Sequence, residues 1–408
     1  MSEWARSIRR QIPPAAVALW FVWLLCAAPF FAKHTAPPAF GVLSYGAALL
    51  AWMWVVAADP PWLRAARHPV FIATAILALG IASVILHPTT RAVSPSTAPE
   101  ALMATSERLL AGRYPYDSAL SDGAPISPGA AWAVLYAPLS LGGAIAAASS
   151  VALGLLYLAI RRLDHGAAAG LVLLLFSCIP FLQASVVGHD LFVIGIAMAI
   201  LAACGPTPHT GRLASAAYVV LLAVVASARV PLIVLPAMLA AFVLRHRPVF
   251  IATIATLLAL AVHLVMAGLG ARLDFSYQPM HVLGRASSGI PGWLSAAAAV
   301  GWMVYAAGLR RFWRPELSVQ LALLWLALAP PFAVVGLMEL VKAGVGTREA
   351  WAYWEGKNYV AFLTPLLAVS LAVAGRSRGG GPGRRGRLPA PRERPPEPRA
   401  QNDESREM

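Results

Sequence analysis

Charge is scarce in this sequence. Asp, Glu, Lys and Arg make up 12% of its 408 residues, about half of the roughly 25% found in an ordinary soluble domain. The apolar share is 59% and the mean hydropathy is +0.68. No soluble fold of this length hides so much apolar surface. The composition therefore excludes a disordered body and a basic globular binder of nucleic acid, and no nucleic-acid partner is expected. Cysteine is nearly absent: Cys26, Cys178 and Cys204 each lie in an apolar run, and no two form a CxxC. That excludes a disulfide framework and a zinc site. Several motifs are missing too. There is no Walker A loop, no GxGxxG after a strand, no GxSxG and no HExxH, which disfavours an ATP-driven pump and a membrane zinc protease.

What is present is a series of apolar runs. A spanning helix needs about 20 such residues. Twelve candidates occur, near 14–32, 40–58, 69–87, 138–160, 167–186, 189–204, 212–228, 230–244, 248–268, 292–309, 317–341 and 359–375. The fold class expected is an all-α polytopic bundle of about twelve spans. The first run follows Arg6, Arg9 and Arg10 and reads as an anchored helix, with no cleavable signal peptide.

Basic residues stay on the cytoplasmic side. With the N-terminus inside, the inner connections and the tail hold 22 Lys and Arg against ten outside. Both termini are then cytoplasmic, in the inner membrane of the cell. The outer loops are 88–137, 269–291 and 342–358. Two regions follow: a helical membrane domain over 1–375 and a basic tail over 376–408. The tail is Gly, Pro and Arg without an apolar face, so it reads as disordered and in contact with anionic lipid.

Nine of the 18 acids fall on the expected outer side. In the first outer loop, Ser96-Thr97-Ala98-Pro99-Glu100 predicts a helix start, with a hydroxyl cap followed by Pro and an acid in the first turn. The helix should end near Leu110, before Gly112. Leu102, Met103, Leu109 and Leu110 suit a helix lying along the membrane surface. Asp117 and Asp122 stand in turn-like sequence, with Asp122-Gly123 the stronger signal. Trp132 and Tyr136 occupy an aromatic-belt position.

A surface helix, then Leu109, Leu110, Gly112, Pro115 and Tyr116, then a Pro-rich aromatic return ending in Pro138-Leu139, resembles the first large periplasmic loop of GT-C-type membrane glycosyltransferases. The bacterial polyprenyl-phosphate-mannose-dependent mannosyltransferases are the nearest kind. The resemblance implies an extracytoplasmic site in which a carboxylate deprotonates the acceptor hydroxyl and the sugar leaves a lipid phosphate with inversion. It places that carboxylate at Glu100, where the family more often has Asp, with Asp117 and Asp122 as alternatives and Tyr116 beside the substrate. The implied partners are a polyprenyl-phosphate-linked sugar donor, a glycolipid or glycan acceptor, and membrane lipid. No cofactor is expected, and no residue pattern supports a divalent cation.

Gly188-His189-Asp190 lies between two apolar runs. The family often has a Gly, a polar residue and an Asp in a similar place, which makes Asp190 a second candidate base and His189 a ligand for sugar or phosphate. Asp190 as the cap of the next helix is the competing reading. Arg229 sits at a span edge and needs an anion: a lipid phosphate, a headgroup, or an acid such as Asp190. Arg285 with Ser287 and Ser288 could hold phosphate or sugar oxygens. Trp354 could stack on a sugar or belong to an interfacial belt. A transporter or flippase and a non-catalytic envelope-assembly protein remain alternatives to the enzyme.

Overall fold

The computed structural model describes residues 14–58, 60–93, 96–281, 291–354 and 356–377. Among the described residues all regular structure is helical. Helices α1 (Pro14–His34) and α2 (Pro38–Ala58) pack side by side, and the short α3 (Pro61–Ala66) leads into α4 (Pro69–Val93). All four open on proline, whose missing N–H is one the first turn of a helix leaves unbonded anyway. Helix α4 runs through Pro88 to Val93, beyond the end of its apolar run. Then come α5 (Thr97–Leu110) and α6 (Ala130–Leu141).

After α6 the chain turns by 114° at Gly142-Gly143 into α7 (Ala148–Arg161). Gly143 has φ +68°, a conformation that glycine adopts without a Cβ clash. A second bend of 77° separates α8 (His165–Phe176) from α9 (Ile179–Val187). The chain continues through α10 (Leu191–Ala203), α11 (Arg212–Ser227), a short 3-10 turn at Val230–Val234 and α12 (Leu235–Phe242). It ends with α13 (Pro248–Arg272), α14 (Gly292–Leu309), α15 (Leu317–Ala343), α16 (Arg348–Ala352), α17 (Lys357–Ala361) and α18 (Thr364–Ser377).

Among the described residues seven helices are long and apolar enough to cross a membrane, or up to nine if each bent pair is one span. The chain is a multi-pass membrane protein. Each of the twelve apolar runs coincides with helical structure, and seven of them fall on segments of spanning length. Runs 138–160 and 167–186 are broken by the two bends. Runs 189–204, 212–228 and 230–244 form shorter apolar helices.

Helix α10 is enclosed by its neighbours. Ile194, Ile196, Met198 and Ala199 are fully buried, and they share one core with Leu171 and Leu175 of α8 and Leu366 and Val369 of α18. Lipid offers no hydrophobic driving force between helices, so close packing of small residues has to hold them. At Gly195 a side-chain carbon would stand 1.7 Å from the Phe362 carbonyl oxygen, and only glycine allows that approach. The periphery has the opposite character. Val249, Leu264 and Val265 of α13 and Trp293 and Val304 of α14 are exposed, as suits helix faces turned to acyl chains.

Candidate functional site

Residues from several polar segments come into contact: Gln278 bonds the stretch around Tyr116 and Ser118, Asn358 reaches His189, and Gly188 lies against Pro99. The Ser96 hydroxyl accepts from the Ala98 N–H and opens α5. Leu102 is buried in the main core, so this part of α5 faces protein where a lipid-facing side was expected. The Ser106 hydroxyl donates to the Ala133 carbonyl at 2.8 Å and fastens α5 to α6. Gly112, at φ +68°, lets the chain leave the helix. Arg108 then reaches back to the Pro115 carbonyl at 3.1 Å, to the Asp117 carboxylate at 2.8 Å and to the Ser118 hydroxyl. Asp117 is thus paired. Asp122 accepts from the Ala124 N–H at 2.9 Å across its own turn, the local bond its sequence predicts.

Glu100 is held by one residue. Its Oε1 accepts the Ser121 N–H at 2.7 Å and its Oε2 accepts the Ser121 hydroxyl at 2.6 Å. The loop carrying Ser121 is braced from far along the chain. The Gln278 amide donates to the Tyr116 and Ser118 carbonyls at 3.0 and 3.1 Å, and its oxygen accepts from the Ile126 N–H at 2.6 Å. Tyr116 is buried and donates to the Pro128 carbonyl at 2.9 Å. Its ring meets Tyr277 edge-on at 5.3 Å, and Tyr114 stacks on Phe275 at 5.7 Å. Burial pushes the phenols of Tyr116 and Tyr277 above the usual tyrosine range.

A second constellation adjoins the first. A side-chain carbon at Gly188 would lie 3.4 Å from the His87 ring and 3.6 Å from Pro99. The Gly188-His189-Asp190 turn therefore packs against the start of α5, one residue from Glu100. Asp190 is completely buried. It stands at the start of α10 without capping that helix through its side chain. Instead Arg229 donates to both of its oxygens at 2.8 Å, and the Trp132 indole N–H adds a bond at 3.0 Å. Arg229 also donates to the Ala228 carbonyl at 2.9 Å, and that carbonyl accepts the Gly129 N–H at 3.0 Å. A side-chain carbon at Gly129 would stand 1.8 Å from the Ser227 carbonyl oxygen, so glycine lets α6 begin against the end of α11. Among the described residues the buried Tyr136 hydroxyl has no hydrogen-bond partner.

His189 lies in the turn between α9 and α10, partly buried. Its Nδ1 is 3.6 Å from Asp190 and its Nε2 is 3.4 Å from the Asn358 amide nitrogen. Burial pushes the imidazole down to about 4, against the pull of the neighbouring carboxylate. A neutral ring is consistent with a carboxylate already matched by Arg229.

Of the residues singled out from sequence, Glu100, His189, Asp190 and Arg229 fall in this one region. Asp117 and Asp122 serve the loop itself. Tyr116 anchors the loop through its hydroxyl. Trp354 is buried, and its indole donates to the Gly336 carbonyl at 2.7 Å, so its donor serves packing of 354 against α15. Arg285, with Ser287 and Ser288, lies outside the described residues. So do Glu355, the Arg6–Arg10 segment and the tail from 378 onward. Gln278 and Asn358 gave no signal in the sequence, because a lone amide in a loop carries neither periodicity nor charge. Trp132 was visible as an aromatic, though its bond to a carboxylate was not. Among the described residues no group of three or more His, Cys, Asp or Glu is placed to hold a metal ion.

The chemistry available divides between the two acids. Glu100 is partly exposed, and its carboxylate keeps acceptor capacity beyond the two bonds from Ser121, since a carboxylate offers about four lone-pair sites. Asp190 is closed off and its charge is matched. No protein-family model, no characterised protein and no solved structure matches this chain.

Proposed function

We propose that this chain is a GT-C-like membrane glycosyltransferase. It moves a hexose, mannose by the resemblance, from a polyprenyl-phosphate donor to an envelope glycolipid or glycan. Glu100 is the base: it takes the proton of the acceptor hydroxyl, whose oxygen attacks the anomeric carbon. The bond from that carbon to the phosphate oxygen breaks, and the electron pair leaves with the lipid phosphate. Attack from the face opposite the leaving group inverts the centre. A positioned base of this kind contributes about 10²–10⁴-fold.

The observation that supports this reading is the meeting of Glu100 with the Gly188-His189-Asp190 turn, bridged by the contact of Gly188 with Pro99. Two segments chosen separately from the sequence share one place. In this account Asp190 and Arg229 hold the floor of the site, and Arg285 keeps its role as a partner for the phosphate. The orientation, with both termini cytoplasmic and the site outside, follows the basic residues. Counting the bent pairs and the three shorter apolar helices as crossings gives twelve.

The test uses purified protein in lipid with radiolabelled polyprenyl-phosphate mannose, with and without a crude envelope acceptor. The expected result is acceptor-dependent donor consumption that Glu100→Gln abolishes. No turnover with any of several lipid-linked sugars, in a well-folded preparation, would overturn the reading. The buried Asp190–Arg229 pair favours a second reading as a transporter or flippase, because ionisable residues inside membranes often mark a transport path. Lipid-linked sugar crossing vesicles without chemical change would select it.

A further inference from the structure

We propose that Ser121 is the positioning residue of Glu100, held in place through Gln278. The inference deepens the glycosyltransferase reading, and its turnover arm rests on that reading.

A glutamate in the first turn of a surface helix is ordinarily held by little more than the helix dipole. Its side chain samples several rotamers. Glu100 differs because the N–H and the hydroxyl of one residue engage its two oxygens separately, at 2.7 and 2.6 Å. Two donors on two oxygens set the plane of the carboxylate as well as its place. The remaining lone pairs then point in fixed directions, as a base needs when proton transfer depends on alignment.

Ser121 itself cannot drift easily. Leu120 donates to the Ala124 carbonyl at 2.9 Å, and the Gly123 N–H returns to the Leu120 carbonyl at 2.8 Å. Asp122 closes the same turn. Outside that turn, Gln278 grips the backbone on both sides, at Tyr116 and Ser118 before it and at Ile126 after it. A segment more than 150 residues away thus fixes the serine that fixes the glutamate.

Two measurements on the purified protein in lipid test this. In the first, initial rates with radiolabelled polyprenyl-phosphate mannose and a crude envelope acceptor separate kcat from KM. Ser121→Ala is expected to lower kcat about 10- to 100-fold, the scale of a misplaced catalytic group, with KM for the donor within about twofold. Ser121→Thr, which keeps both donors, is expected to restore most of kcat. Unchanged kcat in Ser121→Ala would overturn the proposal. The second measurement needs no turnover: labelling of Glu100 by a water-soluble carbodiimide, read by peptide mass spectrometry. A carboxylate that loses the Ser121 hydroxyl while keeping only its N–H, or whose loop loses the Gln278 brace, is expected to label severalfold faster in Ser121→Ala and in Gln278→Ala than in the wild type. Equal labelling would overturn the hold on Glu100. Full turnover by Glu100→Gln combined with faster labelling in Ser121→Ala would instead remove the base assignment and leave the contact standing.

Discussion

Arg229 donates to both carboxylate oxygens of Asp190 at 2.8 Å, and Asp190 has no exposed surface. A charge taken this far from water is stable only while its partner stays. Asp190→Asn leaves the guanidinium buried and unmatched, a loss of about 3–5 kcal/mol for buried pairs. The melting temperature in detergent, followed by tryptophan fluorescence, is expected to fall clearly for Asp190→Asn and for Arg229→Ala. Replacing both with apolar residues, Asp190→Leu with Arg229→Met, should recover much of the loss. A single variant melting with the wild type would show that the pair does not carry the junction of α10 and α11.

Gln278→Ala removes the acceptor of the Ile126 N–H and two donors to the same loop. Each such bond contributes about 1 kcal/mol net, more where a buried group is left unpaired. Hydrogen exchange at Ile126 is expected to speed up by at least tenfold, while amides of the buried α10 keep their protection. Protection at Ile126 unchanged from wild type would mean that Gln278 does not brace the loop.

Gly129→Ala and Gly195→Ala place a carbon 1.8 Å and 1.7 Å from a backbone carbonyl oxygen. Backbone cannot step aside as a flexible side chain can, and overpacking costs about 1–3 kcal/mol or more. Both variants are expected to accumulate poorly and to melt earlier. Gly301→Ala, where none of the described residues lies within 4 Å of the added carbon, serves as the control and should behave as wild type.

His189 gives the pH dependence. Its folded value lies near 4, below the ordinary value of about 6.5. The unfolded chain therefore binds a proton at a pH where the folded chain does not. Stability from this group is complete above about 6.5 and is lost progressively as the pH falls toward 4. His189→Gln is expected to flatten that part of the melting-temperature profile. A profile identical to wild type between pH 6.5 and 4 would contradict the burial argument.

The helices were legible in the sequence because every apolar run falls on helical structure. Their continuity was not. The break at Gly142-Gly143 rests on a positive φ at Gly143, and a Gly-Gly pair inside an apolar run is also compatible with an unbroken helix. Nor does hydropathy tell lipid from protein: α10 reads like a span and is enclosed by neighbouring helices. In the site, the charges were legible and one pairing, Arg229 with Asp190, was among the alternatives the sequence left open. The cap at Ser96 and the turn at Asp122 followed from local chemistry. Partners distant in sequence could not be read, because Ser121 and Gln278 are ordinary loop residues until the fold brings them to Glu100. Trp354 shows the converse, since an aromatic among charges fits a belt, a sugar platform or a core, and here it is buried with its indole bonded to Gly336.

The central claim is that Glu100 acts as a base, and Glu100→Gln tests it most directly. Glutamine keeps an oxygen for Ser121 and has nearly the same volume, so the loop should remain docked. The measurement is consumption of radiolabelled polyprenyl-phosphate mannose by the lipid-reconstituted protein, with wild type and variant matched for melting temperature. The account predicts at least about 100-fold slower turnover in Glu100→Gln, within the range for loss of a general base. Turnover equal to wild type in a folded Glu100→Gln protein would contradict it.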